Sequence, residues 1–108
     1  MEENFVEHRQ YERFKIRLEA KLINLKDKKE SSGYTVDLSA NGIGLVSNQN
    51  FPPDTSLEVR LNNPHNQKSI YMRGRLIWSK PLDESNYRLG IELEDVDLVG
   101  LAQVLELI

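Results

Sequence analysis

The 108-residue chain contains no cysteine, which excludes disulfide cross-links and thiol chemistry and fits a reducing, cytoplasmic setting. Histidine occurs only at His8 and His65, and neither belongs to a cluster of Asp or Glu with ligand spacing, so no metal site is expected. Neither histidine stands in a triad-like relation to a serine, and the glycines lack the spacing and the lysine of a phosphate-binding loop. No catalytic residue is therefore expected, and the chain does not read as an enzyme. No apolar run is long enough to span a membrane, and the opening MEENFVEHRQ lacks the apolar stretch of a signal peptide. Positive charge is also in short supply. Fourteen Lys and Arg face 17 Asp and Glu, a net charge of -3, which argues against coating nucleic acid through counterion replacement. A local basic pocket for a small anion remains compatible with that balance.

What is present is alternation. From Phe14 the apolar residues Phe14, Ile16, Leu18, Ala20 and Leu22 take every second position, with Lys15, Arg17, Glu19 and Lys21 between them. Period two over that length predicts a half-buried strand. NLKDKKESSG reads as a turn, and YTVDLS resumes the strand with Tyr34, Val36 and Leu38 inward and Thr35, Asp37 and Ser39 outward. ANG breaks it, because Asn and Gly tolerate turn conformations. IGLVS, SLEVRLN, SIYMRGRLIWS and YRLGIEL follow as strands, with Gly74 as a bend or bulge in the third of these. The final DVDLVGLAQVLELI changes to helical spacing, with Asp95 or Asp97 as its cap.

Six strands at short intervals followed by one helix predict an all-β fold, a six-stranded antiparallel β-barrel with a C-terminal α-helix. The expected organisation is a single domain: an N-terminal arm over 1–12, the barrel over 13–94 and the helix over 95–108. The arm has only Met1, Phe5, Val6 and Tyr11 as apolar groups, so it is expected to be flexible and to order over the barrel when a ligand binds.

Two spaced patterns carry the functional signal. Arg9 and Arg13 form Arg-x-x-x-Arg where the arm meets the first strand. Asp37, Ser39 and Gly42 form Asp-x-Ser-x-x-Gly at the end of the second. Taken singly, the first is a charged arm beside Glu7 and Glu12, and the second is ordinary turn chemistry. Taken for function, an Asp that accepts, a Ser that donates and accepts, and a Gly that admits close approach suit a flat heterocycle with adjacent donors, such as guanine.

In this order and spacing the two patterns resemble the PilZ domain family, bacterial receptors for cyclic diguanylate (cyclic di-GMP). GRLIWSK followed by YRLGIELED is similar to the last two strands of such domains, and the resemblance runs from about Glu7 to Leu93. It implies the same six-stranded barrel that the alternation predicts. It also implies that Arg9, Arg13, Asp37, Ser39 and Gly42 bind cyclic di-GMP, with His8, Gln10, Asn41 and Trp78 as further contacts and no other cofactor. Arginine forks grip phosphate or the O6/N7 edge of guanine, and Asp37 and Ser39 would read the base. Strict alternation puts Trp78 on the inner face with Ile70, Met72 and Leu76, whereas its place after Gly74 lets it reach a ligand. The resemblance further implies relay to a protein partner. Two alternatives stand beside it. One is an adaptor of this fold that works by protein contact alone. The other is a barrel that binds single-stranded nucleic acid through Tyr71, Arg73 and Arg75.

Overall fold

Every predicted strand is present, the first of them in two pieces, though not always with the expected face inward. The computed structural model describes residues 13–106. In chain order the elements are β1 (Phe14–Lys15), β2 (Glu19–Asn24), β3 (Glu30–Leu38), β4 (Gly42–Ser47), β5 (Ser56–Asn62), β6 (Ser69–Pro81), β7 (Tyr87–Val96) and the helix α1 (Leu98–Glu106). All pairings are antiparallel, in the spatial order β3, β2, β5, β6, β7, β4, and β4 returns to pair with β3. The six longer strands therefore close into the expected barrel, which removes free edges along the ring. Leu22, Leu38, Leu45, Leu57, Leu61 and Leu89 are fully buried inside it.

Leu101 and Val104 of α1 join the same core. The cap of α1 is Asp97, whose carboxylate accepts the Gly100 N–H at 3.0 Å. Asp95 and Val96 instead extend β7, where Val96 pairs with Met72. The helix thus begins three residues later than its spacing predicts, because barrel pairing claims those residues first. No helix among the described residues is long and apolar enough to cross a membrane.

The first predicted strand is interrupted. β1 pairs with the end of β3, as Phe14↔Leu38 and Lys15↔Asp37, while β2 pairs with its beginning. Between them two backbone bonds persist, from the Thr35 N–H to the Leu18 carbonyl at 2.9 Å and from the Ile16 N–H to the Val36 carbonyl at 3.3 Å, and the Thr35 side chain supplements them. Its hydroxyl accepts the Leu18 N–H at 2.8 Å and donates to the Ile16 carbonyl at 2.6 Å. Thr35 is consequently buried, where alternation predicts it outward. A bulge follows at once: the β3–β4 register jumps from Thr35↔Leu45 to Asp37↔Gly44, leaving Val36 as the extra residue. That single residue resets the phase, so that Asp37 faces out and Leu38 faces in. Phe14, expected inside, is 42% exposed, since the break leaves β1 outside the ring. We expect Thr35→Val to cost about 2 kcal/mol, because it removes two hydrogen bonds and strands a buried N–H at Leu18. Urea denaturation checks this, and an unchanged midpoint would show that the hydroxyl bridge does not hold the break.

Candidate ligand-binding site

Where β3, β4, β7 and β6 lie side by side, one row of residues on the outer face runs Asp37, Gly44, Gly90, Trp78. Leu38, Ile43, Leu45, Leu89 and Ile91 take the inward positions, so the row between them faces solvent. Its two central members have no side chain. A β-carbon on Gly44 would lie 2.6 Å from Asp37 Oδ1, and one on Gly90 would run into the Trp78 indole. The glycines thus form the floor of a cleft of about 330 Å³ between Asp37 and Trp78.

Arg13 closes one side. The two β1 pairings set its position, and its Nη2 donates to Asp37 Oδ1 at 2.9 Å. Its guanidinium rests beside Gly42, the first residue of β4, and its Nη1 lies 3.4 Å from the Ser39 hydroxyl. Ser39 itself is buried, contrary to the outward position that alternation predicts. The chain leaves the strand after Leu38, and the Ser39 N–H donates to the Gly42 carbonyl at 2.9 Å in the turn. The hydroxyl stands 2.8 Å from Asn41 Oδ1 and 3.2 Å from the Gly42 carbonyl, one proton serving one acceptor at a time. Ser39 therefore builds the turn that carries Asn41 and Gly42 into the cleft and steadies Arg13. Asn41 is exposed and lines the cleft, as do Arg13, Asp37 and Gly42.

Trp78 lines the opposite side and is 42% exposed. A second bulge decides this. The β6–β7 register jumps from Leu76↔Ile91 to Trp78↔Gly90, so Ile77 is skipped and the indole moves from the inner to the outer face. Lys80 Nζ sits 5.4 Å from the ring centroid. His8, Arg9 and Gln10 lie outside the described residues.

Two charged lining residues were not singled out from sequence. Arg88 faces out on β7, with its Nη2 near Gly44, and its buried Nε has no hydrogen-bond partner among the described residues. Glu92 stands opposite Gly42. The signal for both was available: in YRLGIEL the apolar positions alternate with Arg88, Gly90 and Glu92, an outward row with a glycine at its centre. The arrangement offers cationic forks (Arg13, Arg88), carboxylate acceptors (Asp37, Glu92) and one flat aromatic face, over a floor open to close approach. Among the described residues no group of three metal-ligating side chains occurs. Tyr71, Arg73 and Arg75 do share an outer face, but Arg73 lies across from Glu58 and Asp95, and Arg75 pairs with Glu92. No basic groove results.

A family model described as PilZ domain matches residues 7–108. A search of curated protein sequences gives no match. Among solved structures, the chain is similar to the Bacillus subtilis inhibitor of motility MotI/DgrA, with a TM-score of 0.69 and 17% identity over 90% of this chain. It spans only 47% of that protein. It is also similar to the PilZ domain of Escherichia coli YcgR solved with c-di-GMP, with a TM-score of 0.66 and 16% identity, covering 92% of this chain and 87% of that one. The PilZ domain of CeSA from a cellulose-synthesizing bacterium gives a TM-score of 0.58 at 16% identity, covering 89% and 93%. At such identities these likenesses establish the shared fold.

Proposed function

The chain belongs to the PilZ domain family, and from that premise we propose that it is a receptor that binds cyclic di-GMP in the cleft between Arg13 and Trp78. One observation carries the proposal: Arg13, Asp37 and Gly42, distant from Trp78 in sequence, line the same glycine-floored cleft. The match to a YcgR domain solved with c-di-GMP supports it. Asp37 would accept the N1–H and N2–H₂ of a guanine. Arg13 and Arg88 would take phosphate oxygens or the guanine O6/N7 edge, and Trp78 would stack on a base. Ser39 would act from behind, by holding the turn and Arg13. Arg9 and its neighbours would add to this from the arm. The role is recognition and relay, with no bond made or broken. A protein partner would meet exposed apolar surface, of which Leu98 and Val99, 63% and 70% exposed, are the largest examples on α1.

Isothermal titration calorimetry tests the proposal and gives stoichiometry in the same experiment. We expect micromolar affinity, about -8 kcal/mol, for cyclic di-GMP. GMP and linear diguanylate should bind much more weakly, since neither presents both phosphates and both bases in one fixed geometry. Absence of heat and of chemical-shift change at high micromolar ligand would favour an adaptor acting through protein contact alone.

A further inference from the structure

The wall of the cleft around Glu92 has no role in the proposal above. Glu92 faces out on β7, two positions beyond Gly90 and opposite Gly42. Arg75 Nη2 donates to its Oε1 at 3.3 Å, and Arg75 Nε lies 3.7 Å from Asp54 Oδ1. This repeats the chemistry of the first wall, where Arg13 Nη2 donates to Asp37 Oδ1 at 2.9 Å. In each couple the arginine engages one carboxylate oxygen and leaves the other without a protein partner among the described residues. Gly42 and Gly44 lie between the two carboxylates. Asp37 and Glu92 are two strands and two residues apart, about 12 Å between α-carbons by sheet spacing.

An exposed ion pair on a barrel surface needs no ligand to explain it and contributes little to stability. Two features set this one apart. Its carboxylate lines a cleft whose other wall carries the same couple, and a carboxylate beside a doubly charged anion is unfavourable unless it meets hydrogen-bond donors. The N1–H and N2–H₂ edge of guanine is the part of cyclic di-GMP that supplies them, and the ligand has two such edges. We infer that Arg75 and Glu92 form a second guanine-reading couple, with Glu92 accepting from the base that Asp37 does not reach and Arg75 holding the carboxylate in place. This rests on the receptor reading above. It makes the cleft approximately symmetric in its chemistry, like the ligand, and assigns base specificity to two residues.

The test compares cyclic di-GMP with a mixed ring in which hypoxanthine, lacking the exocyclic amine, replaces one guanine. Both are titrated calorimetrically into the full chain and into Glu92→Gln. The unmodified chain should prefer the two-guanine ring by about tenfold, the loss of one charge-assisted hydrogen bond. Glu92→Gln should bind cyclic di-GMP about tenfold more weakly and no longer distinguish the two rings. Glu92 is 54% exposed, so the ligand-free variant should melt as the unmodified chain does. Equal weakening toward both rings would overturn the inference, because Glu92 would then act only by anchoring Arg75. Unchanged affinity and discrimination in the variant, with Asp37→Ala still impaired, would overturn this couple alone. Failure of the unmodified chain to bind either ring would overturn the receptor reading and the couple with it.

Discussion

Asp37→Ala is expected to weaken cyclic di-GMP binding by about 30- to 100-fold, or about 2–3 kcal/mol, while leaving the fold intact. The carboxylate sits at the end of the glycine floor, already aligned by an arginine, with Arg13 Nη2 2.9 Å away. Its removal deprives guanine of an acceptor and releases Arg13 from the position in which its fork faces the cleft. The stability cost is small by comparison. The Arg13 side chain is 47% exposed, and a pair so open to solvent contributes at most about 1 kcal/mol. Calorimetry and a thermal melt separate the two effects. Normal affinity would show that the ligand does not use Asp37, and a large drop in melting temperature without ligand would assign the residue to the fold. Because Arg13 and Asp37 touch, the double alanine variant should lose less than the sum of the single losses.

Gly44→Ala should act on binding and stability in opposite directions. The residue lies within β4 without a positive φ, so alanine fits its backbone, and replacing a strand glycine stabilises by roughly 0.5–1 kcal/mol. The added β-carbon would nevertheless come within 2.6 Å of Asp37 Oδ1 and 3.7 Å of Arg88 Nη2. Asp37 is the end of a short side chain on an open face and can swing aside. The fold survives, the acceptor is displaced and the floor rises. Affinity should fall by more than about tenfold while the melting temperature holds or rises. Wild-type affinity in this variant would mean that the ligand does not lie on the floor between Asp37 and Trp78.

Much of this was legible in the chain. Period-two alternation in SLEVRLN, in the first part of SIYMRGRLIWS and in YRLGIEL gives the strands and the inward sets Leu57/Val59/Leu61, Ile70/Met72/Leu76 and Leu89/Ile91. The spaced patterns placed Arg13, Asp37 and Gly42 together, and the structure puts them around one cleft. Two of the misplacements share a cause. Thr35 expected out is in, Trp78 read first as inner is out, and both lie next to a bulge at which one residue drops out of the ladder. Ser39 differs for a related reason, since the turn at Asn41 and Gly42 captures its hydroxyl.

The sequence by itself determined which segments are strands, because side chains alternate along an extended backbone whatever the neighbouring strand does. It also carried the two spaced patterns whose family resemblance implies that Arg13, Asp37 and Gly42 share one site, while the pairing of β1 with β3 is what brings Arg13 to Asp37. Only the tertiary structure decided that Val36 and Ile77 are skipped, that Gly44 and Gly90 come side by side as a floor, and that Arg88 and Glu92 join the cleft. Those outcomes depend on register between strands distant in sequence. A bulge forms where two strands of unequal count must both keep their apolar faces in one closed core, and that constraint exists only once the barrel is shut.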